Sequence, residues 1–403
     1  MAFSFIDLFC GIGGFHVALA DLGGRCVFAC DIDKECRAMY EKNFGLRPEG
    51  DITKIDAKDV PDHDVLVGGF PCQPMSNAGK KRTFADKRGK LFDEIVRIAR
   101  AKRPKAMILE NVKHIKKVDG GKVYAYVYEE LKKIGYRVLD IELSPHQFGV
   151  PQQRKRVYFV CIDERAFGGD VAIDFPDIPV IPTEPSHRIF QDRDQVPAKY
   201  DVSPDLKSVI DAWDVMLKRM DAGQRISVPI LLDEFDKQYD EDALAALPDW
   251  RRTYVKKNKD LYEKYRPVWN AWRREHAETL SKKSIYSKLE WQTGPLVGDD
   301  SIWDHFVQIR QSGIRVKRSD TFPTLVAMVQ VPIYGKEKRF LTPRECARLQ
   351  SFPDDVKLHE TDRVAYKQLG NSVNVDVVRF VADAVLSRLG VRLPNASKQS
   401  HLP

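Results

Sequence analysis

Long apolar runs are missing from this sequence. No stretch approaches the length that spans a bilayer, and no secretory signal precedes the cysteines, so we expect neither membrane insertion nor secretion. The chain is expected to start directly in folded structure. Internal repeats and low-complexity tracts are also missing, which leaves an ordinary globular fold as the expectation.

Cysteine spacing is irregular. The seven cysteines occupy positions 10, 26, 30, 36, 72, 161 and 346. Cys26 and Cys30 resemble a metal-binding pair, but they lie in a strand-like run and no second Cys/His pair follows at zinc-finger spacing. No metal site is therefore expected, and reduced thiols in a cytoplasm fit this cysteine usage best.

The composition is that of a globular protein large enough for two domains. Of the 403 residues, 43% are hydrophobic and 31% are charged, which suffices for two separate cores. The formal net charge of +7 permits a polyanionic partner without proving one.

The first sixteen residues predict a site for a nucleotide-like cofactor. A strand over residues 4–9 runs into the glycine turn of residues 10–15, and a helical pattern follows to Leu22. Glycines at such a turn let the backbone approach a ligand at a helix N-terminus. His16 stands where the dinucleotide fingerprint has its third glycine, which disfavours a nicotinamide oxidoreductase.

Carboxylates follow the next two segments. Asp31 comes directly after the strand of residues 25–30, about 20 residues past the glycines, where a carboxylate can bind ribose hydroxyls. Asp51 follows a third segment and could accept a hydrogen bond from an adenine amine. The alternative for these acids is helix capping, and Asp33 in particular precedes a helical pattern over residues 34–43.

Cys72 follows a predicted fourth strand over residues 64–70 and lies between Pro71 and Pro74. In open α/β sheets, ligands bind at the carboxyl ends of the strands. A thiol at this edge is accessible to a substrate, whereas most unpaired cysteines are small buried hydrophobes. The local sequence alone leaves both interpretations open.

Further polar side chains are predicted near the same edge. Glu110 ends a fifth strand over residues 105–109 and is placed to act as an acid or base, or to contact a base edge. Arg154 and Arg156 alternate along an extended segment, so their guanidinium groups are expected on one side, where they suit a phosphate or carboxylate.

Six motifs in order resemble the C5-cytosine DNA methyltransferase family. They are residues 7–15 (DLFCGIGGF), 69–73 (GFPCQ), 110–112 (ENV), 152–156 (QQRKR), 343–349 with 352–354 (PRECARL and FPD), and 368–373 (QLGNSV). The resemblance implies an α/β fold, with a doubly wound, mostly parallel S-adenosylmethionine-dependent methyltransferase sheet and a smaller inserted target-recognition domain.

The resemblance also assigns roles to residues. Cys72 matches the family's nucleophile, which adds to C6 of a flipped-out cytosine, and Glu110 matches the carboxylate at N3 and the exocyclic amine. Arg154 and Arg156 match the arginines that anchor the base and nearby backbone. S-adenosyl-L-methionine is the implied cofactor and no metal is implied. Cofactor contacts are implied for Phe9, Gly11, Gly13, Asp31, Ile32, Asp51, Ile52, Leu91, Asn371 and Val373.

The resemblance lapses between about Asp163 and Asp320. This region holds all six tryptophans, and residues 250–275 interleave several of them with arginines and lysines. Such a pattern is typical either of a basic helix that follows DNA phosphates or of a helix with a solvated basic face and aromatic residues in a core. Residues 308–315 are interpreted as a base-reading loop.

The domains are expected at residues 1–180 (catalytic and cofactor-binding), 181–340 (target recognition with hinge), 341–395 (hinge element and returning C-terminal helix) and 396–403 (disordered tail). The expected setting is a compact, monomeric prokaryotic enzyme of the cytoplasm that acts on double-stranded DNA and is paired with a restriction endonuclease. Two alternatives remain open: the same chemistry on tRNA, and a DNA-binding protein without catalysis.

Overall fold

The computed structural model describes residues 3–71, 90–167, 175–178, 189–328 and 330–391. Cys72, most of the proline-rich segment after residue 178 and the C-terminal tail lie outside these residues. The chain divides into two units, the first formed by Met1–Thr183 with Cys346–Pro403 and the second by Glu184–Glu345.

Among the described residues, the first unit contains six strands and eight α-helices. Its strands are β1 (Phe3–Leu8), β2 (Gly24–Cys30), β3 (Val65–Gly69), β4 (Ala106–Val112), β5 (Tyr136–Leu143) and β6 (Arg156–Asp163). Its helices are α1 (Gly14–Asp21), α2 (Lys34–Phe44), α3 (Lys90–Lys102), α4 (Lys122–Lys133) and α5 (Glu164–Phe167), followed after the second unit by α12 (Pro343–Leu349, which begins in that unit), α13 (Asp362–Asn371) and α14 (Val375–Arg388).

The six strands form one sheet in the order β2-β1-β3-β4-β6-β5. Strands β1 to β4 pair in parallel, and only β6 runs antiparallel to its neighbours. Ile6 and Leu8 belong to the core that holds α3 and α4, whereas Phe5 on the opposite face contacts His16 of α1. The predicted doubly wound, mostly parallel sheet is therefore confirmed.

One predicted strand is wrong. The segment before Asp51 forms only an isolated bridge between Cys30 and Glu49, so the strand that leads to Cys72 is the third of the chain. Only Glu49 and Gly50 lie between Pro48 and Asp51, so the pairing ends at this bridge. Asp51 then caps a short 3-10 turn, and its carboxylate accepts a hydrogen bond from the Thr53 amide.

The second unit has its own sheet and helices. Its strands are β7 (Ile230–Leu231), β8 (Lys288–Gln292), β9 (Phe306–Arg310), β10 (Gly313–Lys317), β11 (Pro332–Tyr334) and β12 (Arg339–Phe340), in the order β12-β11-β9-β10-β8-β7. Its helices are α6 (Pro204–Lys218), α7 (Asp233–Asp236), α8 (Glu241–Ala245), α9 (Asp249–Lys264), α10 (Arg266–Glu275) and α11 (Ala277–Ser281).

Tryptophans form the core of the second unit. Trp213, Trp269 and Trp272 are fully buried against one another, with ring centroids 4.9–6.2 Å apart. Two arginines of α9 and α10, Arg251 and Arg273, pair with acidic side chains of α7. Of the tryptophans in residues 250–275, Trp269 and Trp272 are therefore core residues, whereas Trp250 is 61% exposed.

Among the residues that the structure describes, no helix is both long enough and apolar enough to cross a membrane.

Candidate functional site

The loop after β1 is shaped by glycines. Phe9, Gly11 and Gly13 have positive φ angles of 57°, 53° and 87°, and the amide of Gly13 donates to the carbonyl of Cys10 at 2.9 Å. A Cβ on Gly13 would lie 2.2 Å from the ring of Phe44, so no other residue fits there. A Cβ on Gly11 would meet no described residue within 4 Å, so the described part of the chain leaves open space above the loop.

His16 occupies the position of the fingerprint's third glycine. Its ring stacks on Phe44 with a centroid separation of 3.9 Å, and Nδ1 lies 2.7 Å from the Tyr40 hydroxyl. Burial lowers the pKa of His16 to about 4, so the imidazole is neutral. The helix here packs against α2 through aromatic rings, which explains why a small residue is not needed.

Asp31 joins the ends of β1 and β2. One carboxylate oxygen accepts from the amide of Gly11 and the other from the amide of Asp33, both at 2.8 Å. Burial raises the pKa of Asp31, and the two amide donors oppose that rise. Beside it, the Ile32 side chain is 76% exposed, an apolar surface at the same edge as the open space over Gly11.

The other predicted cofactor residues have local structural roles. Asp33 caps α2 and Asp51 caps the turn that follows it, as the capping alternative expected. Ile52 is buried in the core of the first unit, and Leu91 packs against that core. Cofactor contacts of Asp51, Ile52 and Leu91 stay a prediction, whereas Asp33 was expected only as a cap.

The segment that ends α13 approaches the glycine loop. A Cβ on Gly14 would lie 2.7 Å from a methyl group of Val373, so α1 begins in contact with this segment. Asn371, next to it, is exposed. Sequence motifs more than 350 residues apart thereby meet at the carboxyl end of β1.

Buried polar side chains hold this segment in place. Arg154 is fully buried and donates through Nη2 to the carbonyls of Gly370 and Ser372, at 3.0 and 2.7 Å. Gln350 donates to the carbonyl of Leu369, and Asn374 caps α14. Gln350 and Asn374 were missed by sequence reasoning because nothing in their spacing distinguishes them from surface amides.

Strand β3 ends in two glycines beside β4. A Cβ on Gly69 would lie 3.4 Å from a carboxylate oxygen of Glu110, which is the paired residue on β4. Asn111, buried next to Glu110, donates to the carbonyl of Phe70 at 3.0 Å. Cys72 itself lies outside the described residues, but the strand that leads to it ends beside Glu110.

Glu110 is held by an arginine. Its Oε1 lies 2.9 Å from Nε of Arg156, which begins β6. Burial raises the pKa of Glu110, while the positive charges of Arg156 and Arg154 oppose the rise. Both arginines therefore act on the charge of Glu110, and Arg154 also donates to backbone carbonyls of the segment after α13.

Comparisons with known proteins agree on one family. A family model described as C-5 cytosine-specific DNA methylase matches residues 3–387. Type II methyltransferase M.HhaI of Haemophilus parahaemolyticus is 30% identical over 388 residues, which cover 96% of this chain and 95% of that protein. Type II methyltransferase M.NlaX of Neisseria lactamica is 32% identical over 394 residues, covering 96% and 97%.

Solved structures show the same fold. The S. pombe Dnmt2 methyltransferase matches with a TM-score of 0.52 and 20% identity, and the Entamoeba histolytica methyltransferase EhMeth with a TM-score of 0.54 and 17% identity. Each match covers 96% of this chain and 99% of the other.

Proposed function

The chain belongs to the C-5 cytosine-specific DNA methylase family and is a DNA cytosine-5-methyltransferase; on this premise we propose that it acts through a covalent bond between Cys72 and the target base. Cytosine C5 is a weak nucleophile. Addition of the Cys72 thiolate to C6 forms an S–C6 bond and makes C5 electron-rich.

C5 would then attack the methyl carbon, whose bond to the sulfonium sulfur breaks and leaves a neutral thioether; a base removes the C5 proton, and elimination breaks the S–C6 bond and restores the Cys72 thiolate. Because C5 and C6 are stacked inside a duplex, the target cytosine must flip out before the thiolate can reach it. The flipped base would lie against the edge formed by β3 and β4.

The surroundings of Glu110 are the observation on which the proposal rests. A buried carboxyl group with a raised pKa, held by Arg156 beside the strand that leads to Cys72, can share a proton with N3 of the base. Protonation at N3 withdraws electrons from the ring and favours thiolate addition at C6. Arg156 orients the carboxyl group, and Arg154 supports the adjacent segment of residues 370–372.

S-adenosyl-L-methionine, when bound, supplies the electrophilic methyl group. Three features at this edge fit the parts of such a ligand. The open space over Gly11 fits its methionine part, the Asp31 carboxylate its ribose, and the exposed side chain of Ile32 its adenine. Phe9 would stack on the adenine. The contacts assigned to Gly13, Asp51, Ile52, Leu91, Asn371 and Val373 are part of the same proposal.

The second unit is proposed as the target-recognition domain for double-stranded DNA, with the hinge near its end. The enzyme would act as a monomer in a prokaryotic cytoplasm and protect host DNA against a paired restriction endonuclease. The Type II names of its relatives support this setting.

Transfer of a labelled methyl group tests the proposal. Purified protein is incubated with labelled S-adenosyl-L-methionine and either duplex DNA or tRNA, and the DNA product is sequenced after bisulfite treatment. We expect label in duplex DNA and 5-methylcytosine at one recurrent sequence. Label in tRNA alone, or methylation of the exocyclic amine, would contradict the proposal.

A further inference from the structure

The hairpin of β9 and β10 in the second unit has two different faces. Its strands pair Gln308 with Arg315 and Ile309 with Ile314, and residues 311–312 form the turn. Ile314 and Val316 point into the core with the buried tryptophans. The expected loop over residues 308–315 is thus a hairpin, and alternate residues of its strands lie on the opposite face, called here the outer face, where Gln308 is buried and Arg310 and Arg315 are partly exposed.

One buried carboxylate organises the outer face. Glu290 on the neighbouring strand β8 pairs with Arg315 in register and is only 7% exposed. Its Oε2 accepts from Nε of Arg315 at 2.7 Å and forms an ion pair with Nη2 at 2.6 Å, and its Oε1 accepts from the Ser312 hydroxyl at 2.8 Å. Both oxygens of the carboxylate are therefore used to fix the turn and one guanidinium group.

This pairing leaves the second donor edge of Arg315 available. Glu290 occupies the edge formed by Nε and Nη2, and no described residue accepts a hydrogen bond from Nη1. A guanidinium group has two such edges, and the one formed by its two terminal nitrogens matches a pair of adjacent acceptors. The side chain of Arg315 remains 23% exposed, so that edge can meet a ligand.

Positive charge on the face exceeds negative charge. Arg310, at the end of β9, lies 3.9 Å from the same Glu290 oxygen, and Lys317 follows Arg315 two residues along β10. Within the part of the chain that the structure describes, Arg310 and Arg315 share Glu290 as their carboxylate partner, and Lys317 adds a third positive charge beside Arg315. The excess charge suits a polyanion, while the fixed guanidinium suits a base edge better than a mobile side chain would.

We propose that Arg315, held side-on by Glu290, reads a guanine of the recognition sequence through O6 and N7 in the major groove. Those two acceptors are the commonest bidentate partners of arginine in DNA. Glu290 is a positioning residue, since it contacts Arg315 and not the base. The inference rests on the proposed function, because it names a base that the target-recognition unit contacts.

The test uses a library of duplexes with random sequence around cytosines. The wild-type enzyme methylates the library, and bisulfite sequencing gives the base preference at each neighbouring position. We expect a guanine requirement that Arg315→Met and Arg315→Lys both relax by roughly 10- to 100-fold at that position alone. Glu290→Gln should relax it less, because one neutral hydrogen bond still holds the guanidinium.

Arg318→Met is the matched control. Arg318 follows β10, is 68% exposed and pairs with Asp320, so its loss removes a nearby positive charge without touching Glu290. We expect this variant to keep the wild-type preference. Thermal melting checks that each variant is folded, and Arg315→Lys, which retains the charge beside Glu290, carries the test if Arg315→Met is unstable.

Replacement of the required guanine by 7-deazaguanine, which lacks the N7 acceptor, should slow the wild-type enzyme and leave Arg315→Met unaffected. An unchanged preference in Arg315→Lys, or a loss of activity spread uniformly over all sequences, would overturn the inference, because the second pattern is that of a phosphate contact. Failure of the proposed function would differ, since the wild-type enzyme itself would then leave no 5-methylcytosine.

Discussion

Asn111 shows how one buried amide can act on a distant reactive atom. Its side chain donates to the carbonyl of Phe70, two residues before Cys72, and its neighbour Glu110 faces the same edge. The hydrogen bond fixes where the strand that leads to Cys72 ends. An error of about 1 Å in such a position can cost about 100-fold in rate.

Asn111→Ala is therefore expected to lower kcat by roughly 10- to 100-fold, and to slow covalent trapping on 5-fluorocytosine DNA in parallel, while the Kd for S-adenosyl-L-methionine stays unchanged. The control is Asn258→Ala, an equally buried amide of the second unit that donates to the Pro229 carbonyl. Because Asn258 also bonds the Tyr254 carbonyl and the Leu231 amide, its loss should cost at least the roughly 1–3 kcal/mol of one unsatisfied buried group, without slowing the trapping. Wild-type kcat in Asn111→Ala would refute the positioning role.

Asp7 makes the stability of the protein depend on pH. Its carboxyl group is fully buried, and the nearby His16 amide and Tyr40 hydroxyl only partly oppose the effect of that burial on its pKa. Burial raises the pKa of Asp7 well above its usual value, and the negative charge of Asp31 adds to the rise. Folding thus favours the protonated form, whose stability contribution is complete below the unfolded pKa and is lost as the pH rises through the folded pKa.

Asp7→Asn lacks this dependence. The difference in Tm between Asp7→Asn and wild type should grow between about pH 4 and pH 8, by about 1.4 kcal/mol, or about 3 °C, for each unit by which the pKa is raised. Asp64→Asn is the opposite control. Burial raises the pKa of Asp64, but hydrogen bonds from Lys105 and Ser4 outweigh it and lower that pKa, so removing the charged carboxylate should cost stability at neutral pH. Parallel Tm curves for Asp7→Asn and wild type would contradict this account.

At the scale of single residues, the sequence predicts reactive groups better than supporting ones. Glu110 and Arg156 follow from strand ends and an alternating pattern, and the structure brings them together. Arg154 has the same pattern, yet its guanidinium binds carbonyls of residues 370 and 372, because a segment more than 200 residues away happens to pack there. Local sequence holds no information about such a partner.

At the scale of elements, two glycines of the loop before α1 are needed for different reasons: Gly13 for close packing and Gly11 for open space. Gly13→Ala would place a methyl group 2.2 Å from Phe44 in addition to the strain of its positive φ, so we expect a loss of about 2–5 kcal/mol. Gly11→Ala adds a methyl group to open space and should cost only about 1–2 kcal/mol while weakening S-adenosyl-L-methionine binding. Thermal melts and calorimetric titration measure both, and equal Tm losses would be inconsistent with this geometry.

The elements themselves were largely predictable, since strand and helix periods recur through the first unit. The extra strand before Asp51 was predicted wrongly, because residues 45–50 (GLRPEG) hold a proline, two glycines and two charged residues and make a single bridge, between Cys30 and Glu49. The aromatic residues of α9 and α10 could not be assigned from sequence, because tryptophans beside arginines occur both in cores and on nucleic-acid surfaces. Burial of Trp269 and Trp272 decides the question.

For the molecule as a whole, a buried ion pair lies where the chain leaves the second unit. Arg339 and Glu345 are both fully buried and form two hydrogen bonds of 2.8 Å, and Glu345 also accepts from the amide of Gln191 near the start of the unit. One carboxylate therefore ties the first and last described segments of this unit together.

Glu345→Ala should destabilise the second unit by about 3–5 kcal/mol, whereas Arg339→Met with Glu345→Leu should recover much of the loss. All six tryptophans belong to this unit, so their fluorescence during urea denaturation reports its unfolding directly. A double variant that is less stable than Glu345→Ala would show that the pair is not the source of the effect.

Covalent chemistry at Cys72 is the central claim, and trapping on duplex DNA with 5-fluorocytosine at the target tests it most directly. Elimination requires that a base remove a proton from C5. Fluorine in place of that hydrogen cannot be removed as a cation, so the S–C6 bond persists after methyl transfer. We predict a denaturation-resistant protein–DNA complex for wild type with S-adenosyl-L-methionine, and none for Cys72→Ser, which still binds both ligands. An active wild-type preparation that forms no such complex, or a Cys72→Ser variant that methylates DNA at the normal rate, would contradict the account.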